Sequence, residues 1–211
     1  RLYTTRYQRW HSPKYLIGES YGTTRAAGLS GYLQERHGLY LNGIMLISCA
    51  LDFATLRFFP AHDLPYILHL PTYAATAWYH QRLTPELQAD LPATLAEVEA
   101  FAAGEYMLAL MKGDALTAEE KQQIAARLAY FTGLPVDYVM RTNLRIEIFR
   151  FCKELLRDQR RTVGRLDTRF LGIDRDAAGE RFEHDPSMSN IMGPYTGAFY
   201  EYVRGDLKFE S

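Results

Sequence analysis

Residues 14–33 most constrain what this chain can fold into. They read as a short apolar strand around Tyr15–Gly18, a tight turn Gly18-Glu19-Ser20-Tyr21-Gly22, and a helix over Thr23–Glu35. A G-x-S-x-G turn set between a strand and a helix is the sequence form of a nucleophile elbow, in which a strained backbone lifts a serine clear of a sheet. Gly18 and Gly22 are read as the structural positions of that elbow, because a serine at the tip of the turn leaves no room for Cβ atoms on either side. Ser20 is the candidate nucleophile. Tyr21 is the candidate oxyanion donor, since the first N–H groups of a helix lack partners and point towards developing negative charge. The bland alternative is a strand–helix turn that happens to hold a serine.

The stretch Leu16-Ile17-Gly18-Glu19-Ser20-Tyr21-Gly22 resembles the active-site signature of the serine carboxypeptidases of the carboxypeptidase Y type, with Thr23 standing where that family usually has Gly or Ser. Leu41–Ser48 falls where the family's next strand lies. The runs Asn143-Leu144-Arg145-Ile146, Glu154-Leu155-Leu156-Arg157-Asp158, Val163-Gly164-Arg165-Leu166-Asp167 and Gly193-Pro194-Tyr195-Thr196 look like its bacterial branch. The resemblance implies a serine carboxypeptidase that needs no cofactor and acts on a peptide with a free C-terminus, with Ser20 attacking the C-terminal peptide bond. It implies that Glu19 helps bind the substrate's terminal carboxylate. Two carboxyl groups pair only when they share a proton, which favours acid pH. A secreted or periplasmic location is implied as well. An esterase or acyltransferase of the α/β-hydrolase type would use the same elbow. A non-catalytic structural or binding fragment is the third reading.

The expected fold class is α/β: a partial α/β-hydrolase core, two parallel strands with the elbow, carrying a large and mainly helical cap insertion. Residues 1–55 form the core piece, 56–165 the cap that would roof Ser20, and 166–211 a loop-rich end with a closing helix around Tyr195–Arg204. Residues 14–18 and 43–48 are expected to be neighbouring parallel strands with the helix as their crossover. The apolar run 43–48 is of the kind buried on both faces of a parallel sheet. A full α/β-hydrolase sheet has about eight strands, with triad residues in the order Ser, Asp, His. Only 17 residues precede Gly18, and no strong strand pattern follows Ser48. The chain therefore reads as an internal fragment whose triad Asp and His lie elsewhere. Its open sheet edges would need the missing segments or a second copy to cover them.

Helical spacing recurs at Leu95, Val98 and Phe101, at Ile124, Leu128 and Phe131, and at Ile146, Phe149 and Cys152. Thr117-Ala118-Glu119-Glu120 is a capping box, and Gly133-Leu134-Pro135 ends a helix. Pro65 and Pro71 punctuate an aromatic stretch whose tyrosines and Trp78 are read as core, with a substrate pocket as the alternative. His184, preceded by Asp167, Asp174 and Asp176, is read as a loop histidine rather than a base. His11, His37, His62, His69 and His80 are read as structural. His62-Asp63 lacks a third ligand at metal spacing, so no metal is expected. With 24 Lys and Arg against 25 Asp and Glu, the chain has no basic stripe for nucleic acid, and Arg157–Arg161 reads as a solvated helix end. No apolar run is long enough to span a bilayer. The two cysteines, Cys49 and Cys152, are read as buried thiols, although the resemblance would also suit a disulfide.

Overall fold

The structure, a computed structural model, describes residues 1–210. The chain divides into two compact units, Arg1–Arg57 and Phe58–Ser211.

In the first unit a short helix α1 (Leu2–Arg6) precedes β1 (Tyr15–Glu19), α2 (Tyr21–His37) and β2 (Gly43–Ile47). The two strands pair in parallel, Tyr15 opposite Gly43 and Glu19 opposite Ile47, as the sequence predicts, and α2 is the crossover that parallel strands require. The ladder is pinned one residue ahead. The Asn42 N–H donates to the Lys14 carbonyl at 2.7 Å, and the Lys14 N–H donates to Asn42 Oδ1 at 2.9 Å. Asn42, to which the sequence assigns no role, thus helps to fix the register. α2 runs two residues further at each end than residues 23–35. It stops at Gly38, whose φ of 55° lets the Leu39 N–H close on the Leu33 carbonyl.

Burial corrects the expectation for β2. Ile44, Met45 and Ile47 are exposed rather than covered on both faces, as are Tyr15 and Ile17. α2 packs on the face that carries Gly18. Strand alternation turns Tyr15, Ile17, Met45 and Ile47 to the opposite face, where they stay open to solvent.

The second unit is mainly helical. It contains α3 (Leu64–Tyr79), α4 (Pro85–Gln88), α5 (Leu91–Phe101), α6 (Met107–Lys112), α7 (Ala118–Thr132), α8 (Val136–Arg141) and α9 (Ile148–Glu154). A small antiparallel pair, β3 (Thr162–Val163) and β4 (Leu171–Gly172), and then α10 (Pro186–Glu201) follow. α3 packs against α5 and α7. The small buried side chains of Ala74, Ala77 and Ala125 permit close approach, and the rings of Phe101, Tyr106, Phe131 and Phe151 fill the core around them. The predicted periodicities do mark core faces: Val98, Phe101, Leu128, Phe131 and Cys152 are buried. Ile146 is also buried, but in the turn before α9 rather than within it. The capping box forms as expected, with the Glu120 N–H donating to Thr117 Oγ1 at 3.1 Å and the Thr117 N–H to the Glu120 carboxylate at 2.8 Å. No helix among the described residues is long and apolar enough to cross a membrane.

Proline and arginine positions bring two corrections. Pro65 sits in the first turn of α3, where its missing N–H costs nothing, but Pro71 and Pro194 lie inside helices. The closing helix therefore starts at Pro186, not near Tyr195. Asp185 caps it by accepting the Ser187 N–H at 3.0 Å. Arg157, read as part of a solvated run, is instead held by Glu154 and clamps the 173–185 segment through the Ala177 carbonyl and, at 2.8 Å, the Gly179 carbonyl.

The same segment is held by a buried ion pair. Lys153, only 2% exposed, donates to the Asp174 carboxylate and, at 2.8 Å, to the Asp176 carbonyl. Burial opposes the Asp174 charge. The Lys153 ammonium and the backbone N–H groups of Glu183 and Arg175 outweigh it and hold the carboxyl below its ordinary value. A depressed carboxylate contributes stability that is present above its unfolded value of about 4 and lost as pH falls through the lower folded value. Lys153→Met leaves Asp174 buried without its cation and should cost about 3–5 kcal/mol at neutral pH. Urea unfolding should show that loss shrinking as the pH drops below about 4. A variant that unfolds at the wild-type midpoint would remove any stabilising role for the pair.

Candidate functional site

The structure builds the Gly18–Gly22 turn as a strained elbow. Ser20 has φ 53° and ψ −119°, a conformation that a side chain bearing a Cβ rarely adopts and that costs roughly 1–3 kcal/mol. Backbone contacts hold it there. The Ser20 N–H donates to the Ile47 carbonyl at 3.0 Å, tying the turn to the end of β2. The Ser20 carbonyl accepts the Thr23 N–H at 3.0 Å and the Thr23 hydroxyl at 2.6 Å. Thr23 is fully buried, and its Oγ1 also accepts the Ala50 N–H at 2.9 Å, while Thr24 donates to the Ala50 carbonyl. Thr23 is therefore the residue that staples the elbow to the loop after β2.

The two glycines have different reasons. A Cβ on Gly18 would run into the Gly22 carbonyl group and lie 2.8 Å from the Thr23 nitrogen, so the close approach of β1 to the first turn of α2 requires its absence. A Cβ on Gly22 would meet nothing within 4 Å. Crowding on both sides of Ser20 is the sequence expectation; the structure shows it on the Gly18 side alone.

The Ser20 side chain is exposed, and its hydroxyl neither caps α2 nor hydrogen-bonds to any described residue. The N–H groups of Tyr21 and Gly22, first in the helix, have no intrahelical acceptor. The Tyr21 ring packs on Phe53, and the Arg25 guanidinium lies 5.2 Å from its centroid. Glu19 ends β1 as an exposed residue on the face away from Gly18.

Within the first unit neither His11 nor His37 is hydrogen-bonded to Ser20. His37 lies 3.3 Å from an Arg1 nitrogen, and His11 is exposed. His80 bonds the Thr168 carbonyl at 2.7 Å, and His62 stacks on Phe59. His69 bonds the Pro65 carbonyl at 2.9 Å, and burial lowers its pKa. His184 is exposed in the second unit, and the acids before it are engaged elsewhere. Asp167 forms a two-bond pair with Arg169 that holds its carboxyl down to about 2. Asp174 is paired with Lys153, and Asp176 accepts the Ala178 N–H at 2.9 Å. Among the described residues no group of three or more His, Cys, Asp or Glu side chains is placed to hold a metal ion.

Both cysteines are free. Cys152 is buried, its thiol pushed up to about 12 by burial, whereas Cys49 is exposed and not a buried thiol as expected. Trp78 is tied to α4, its Nε1–H donating to the Gln88 carbonyl at 3.1 Å. The sequence reading gave no weight to Tyr138, Arg150 and Glu180, which the second unit brings together beside two cavities. Residues from α8, α9 and a loop meet there, and no local motif marks them.

Set against family models, curated proteins and solved structures, the chain matches none of them.

The different status of the two glycines is measurable. Gly18→Ala should destabilise the first unit by about 2–3 kcal/mol, since backbone must move to admit one methyl group. Gly22→Ala should be neutral or stabilising by up to about 1 kcal/mol, as Ala is the better helix residue. Thr23→Val, which strips the acceptor from the Ala50 N–H, should cost about 1–3 kcal/mol, with Thr23→Ser retaining most of it. Fluorescence of Trp10 in a Trp78→Phe background reports on the first unit. Equal effects at positions 18 and 22 would contradict the asymmetry.

Proposed function

We propose that Ser20 is the nucleophile of a serine hydrolase of the carboxypeptidase type. The observation that carries this reading is the backbone of Ser20: a non-glycine residue held in a strained conformation at the exposed tip of a strand–turn–helix, its hydroxyl left unbonded. Strain that persists because surrounding contacts over-determine it is concentrated at functional sites. In this reading the Ser20 hydroxyl attacks the carbonyl carbon of a C-terminal peptide bond, the Tyr21 N–H receives the developing oxyanion, and Glu19 takes part in binding the substrate's free carboxylate. Its base, the carboxylate that orients the base, and the second oxyanion donor come from polypeptide other than these 211 residues, as the resemblance implies. The second unit would then correspond to the family's helical insertion.

The sheet gives further support. β1 and β2 pair with no other strand among the described residues, and one face of the pair is apolar and open. Parallel strands occur almost only in sheets covered on both faces. Such a pair suits the interior of a larger α/β-hydrolase sheet.

Esterase or acyl-transfer chemistry would use the same turn. The readings separate on one comparison, a blocked dipeptide with a free α-carboxylate against its ester and its amide. The complete protein should hydrolyse the free acid preferentially and react with a serine-directed phosphonate at Ser20. Ser20→Ala should abolish that labelling and cut turnover by roughly three orders of magnitude or more. The 211 residues alone should turn over no peptide, because an unassisted hydroxyl is a weak nucleophile. Peptide hydrolysis by the Ser20→Ala protein within about tenfold of the parent would sink the proposal.

A further inference from the structure

The second unit holds binding chemistry of its own. Two cavities, of about 520 and 550 Å³, share Thr142, Arg150 and Glu180 as a common wall. One is flanked by Tyr138 and the other by the aromatic side chains of Phe58, Phe59 and Tyr66. At the junction the Glu180 carboxylate accepts the Tyr138 hydroxyl at 3.1 Å and lies 3.0 Å from the Arg150 Nε.

The arginines around this junction differ in what holds them. Arg145 is committed to Asp63 through two bonds of 2.6 and 2.8 Å. Arg157 is committed to Glu154 and two carbonyls, and Arg141 sits 3.1 Å from Asp137. Arg181 lies over the Phe149 ring and 3.7 Å from Glu147. Glu147 is itself the cap of α9, accepting the Phe149 N–H at 3.0 Å. Arg150 has Glu180 as its one ion-pair partner, so unlike Arg145 and Arg157 its guanidinium is not spread over several acceptors. A planar fork with five N–H donors is thus half-buried beside a cavity walled on one side by Phe58, Phe59 and Tyr66, and touched by one carboxylate oxygen.

We infer that Tyr138 and Arg150 form a binding site for the carboxylate of an external ligand, with an aromatic or large apolar side chain lying against Phe58, Phe59 and Tyr66, and that Glu180 occupies this site as an internal stand-in. Glu180 is 51% exposed and lies on the irregular segment between β4 and α10. A half-exposed ion pair holds weakly, so one carboxylate replaces another there at little cost. The incoming ligand gains what Glu180 does not supply: two parallel bonds to the guanidinium and burial of its side chain. The site does not rest on the Ser20 reading, because occupancy is measured without turnover.

Calorimetric titration of the full chain, in the wild-type and Ser20→Ala forms, tests it with N-acetyl-phenylalanine, its amide, and a hexapeptide ending in phenylalanine with a free C-terminus. Both forms should bind the acid equally, and the amide about tenfold more weakly or worse, since a charge-assisted pair is lost. Arg150→Met, at a half-exposed position, should fold normally and lose acid binding by a similar factor. Glu180→Gln, which removes the competing charge, should tighten it about two- to fivefold. If the hexapeptide binds at least as well as the blocked residue, the natural ligand is a peptide C-terminus; if only the small acid binds, it is a free aromatic acid. Equal binding of acid and amide, no effect of Arg150→Met, weaker binding by Glu180→Gln, or no binding of any of the three overturns the inference.

Discussion

Position 18 carries no Cβ, and that lets the end of β1 touch the first turn of α2. The geometry of the Ser20 turn depends on this contact. With the Gly22 carbonyl occupying the space where a side chain would stand, the chain must reverse within one residue, and Ser20 takes the strained conformation. The strain is about 1–3 kcal/mol. Against it stand the Ser20 N–H bond to Ile47 and the two bonds from Thr23 to the Ser20 carbonyl, each worth about 1 kcal/mol net. The terms are of similar size, so the turn is fixed by its backbone partners without help from the Ser20 hydroxyl. That leaves the hydroxyl unspent.

A comparable device organises the second unit. Asn143 and Leu144 both have positive φ, at 54° and 64°, and Leu144 is buried. The Tyr106 hydroxyl donates to the Leu144 carbonyl at 2.7 Å, Lys121 to Asn143 Oδ1 at 2.6 Å, and Arg145 grips Asp63 at the start of α3. Tyr106 reaches this turn from a single π-helical turn, Ala102–Tyr106, between α5 and α6. Because the turn joins α8 to α9, it also sets the separation of Tyr138 and Arg150. The geometry of the Tyr138–Arg150–Glu180 junction is thus a consequence of how a strained loop is pinned by Tyr106, Lys121 and Asp63.

Much of the first unit was legible because its signals are local. An apolar run, a glycine pair around a serine and a second apolar run specify strand, turn, helix and strand, and the parallel pairing follows from the length of the connection. Exposure was not legible. Ile44, Met45 and Ile47 carry the composition of a buried strand, and sequence cannot say whether a covering layer is present. In the second unit, periodicity found Val98, Phe101, Leu128 and Phe131, since each helix turns one stripe to the core. It failed at Pro194, whose usual place at a helix start outweighed the Asp185 cap nine residues earlier. Arg157 looked like part of a solvated charge run because its carbonyl partners lie some 20 residues away in the chain. The Tyr138–Arg150–Glu180 junction is non-local in the same way, and no spacing rule connects residues from three elements.

The first unit also separates orientation from activation. In the proposed reading the strained Ser20 and the first N–H groups of α2 would offer a hydroxyl and a partial positive charge to a substrate carbonyl, but neither removes a proton. Activation requires a base within hydrogen-bond reach of the Ser20 oxygen. A second oxyanion donor is worth about 3–4 kcal/mol, as much as the turn's own hydrogen bonds combined. In that reading the elbow alone would position a substrate carbonyl without accounting for how fast it would react. If Ser20 is the nucleophile proposed, both terms would come from structure packed around the β1–β2 pair, where Tyr15, Ile17, Met45 and Ile47 leave an apolar face open. In that reading a layer covering this face would meet both demands, burying its apolar side chains and bringing a base and a second donor to Ser20.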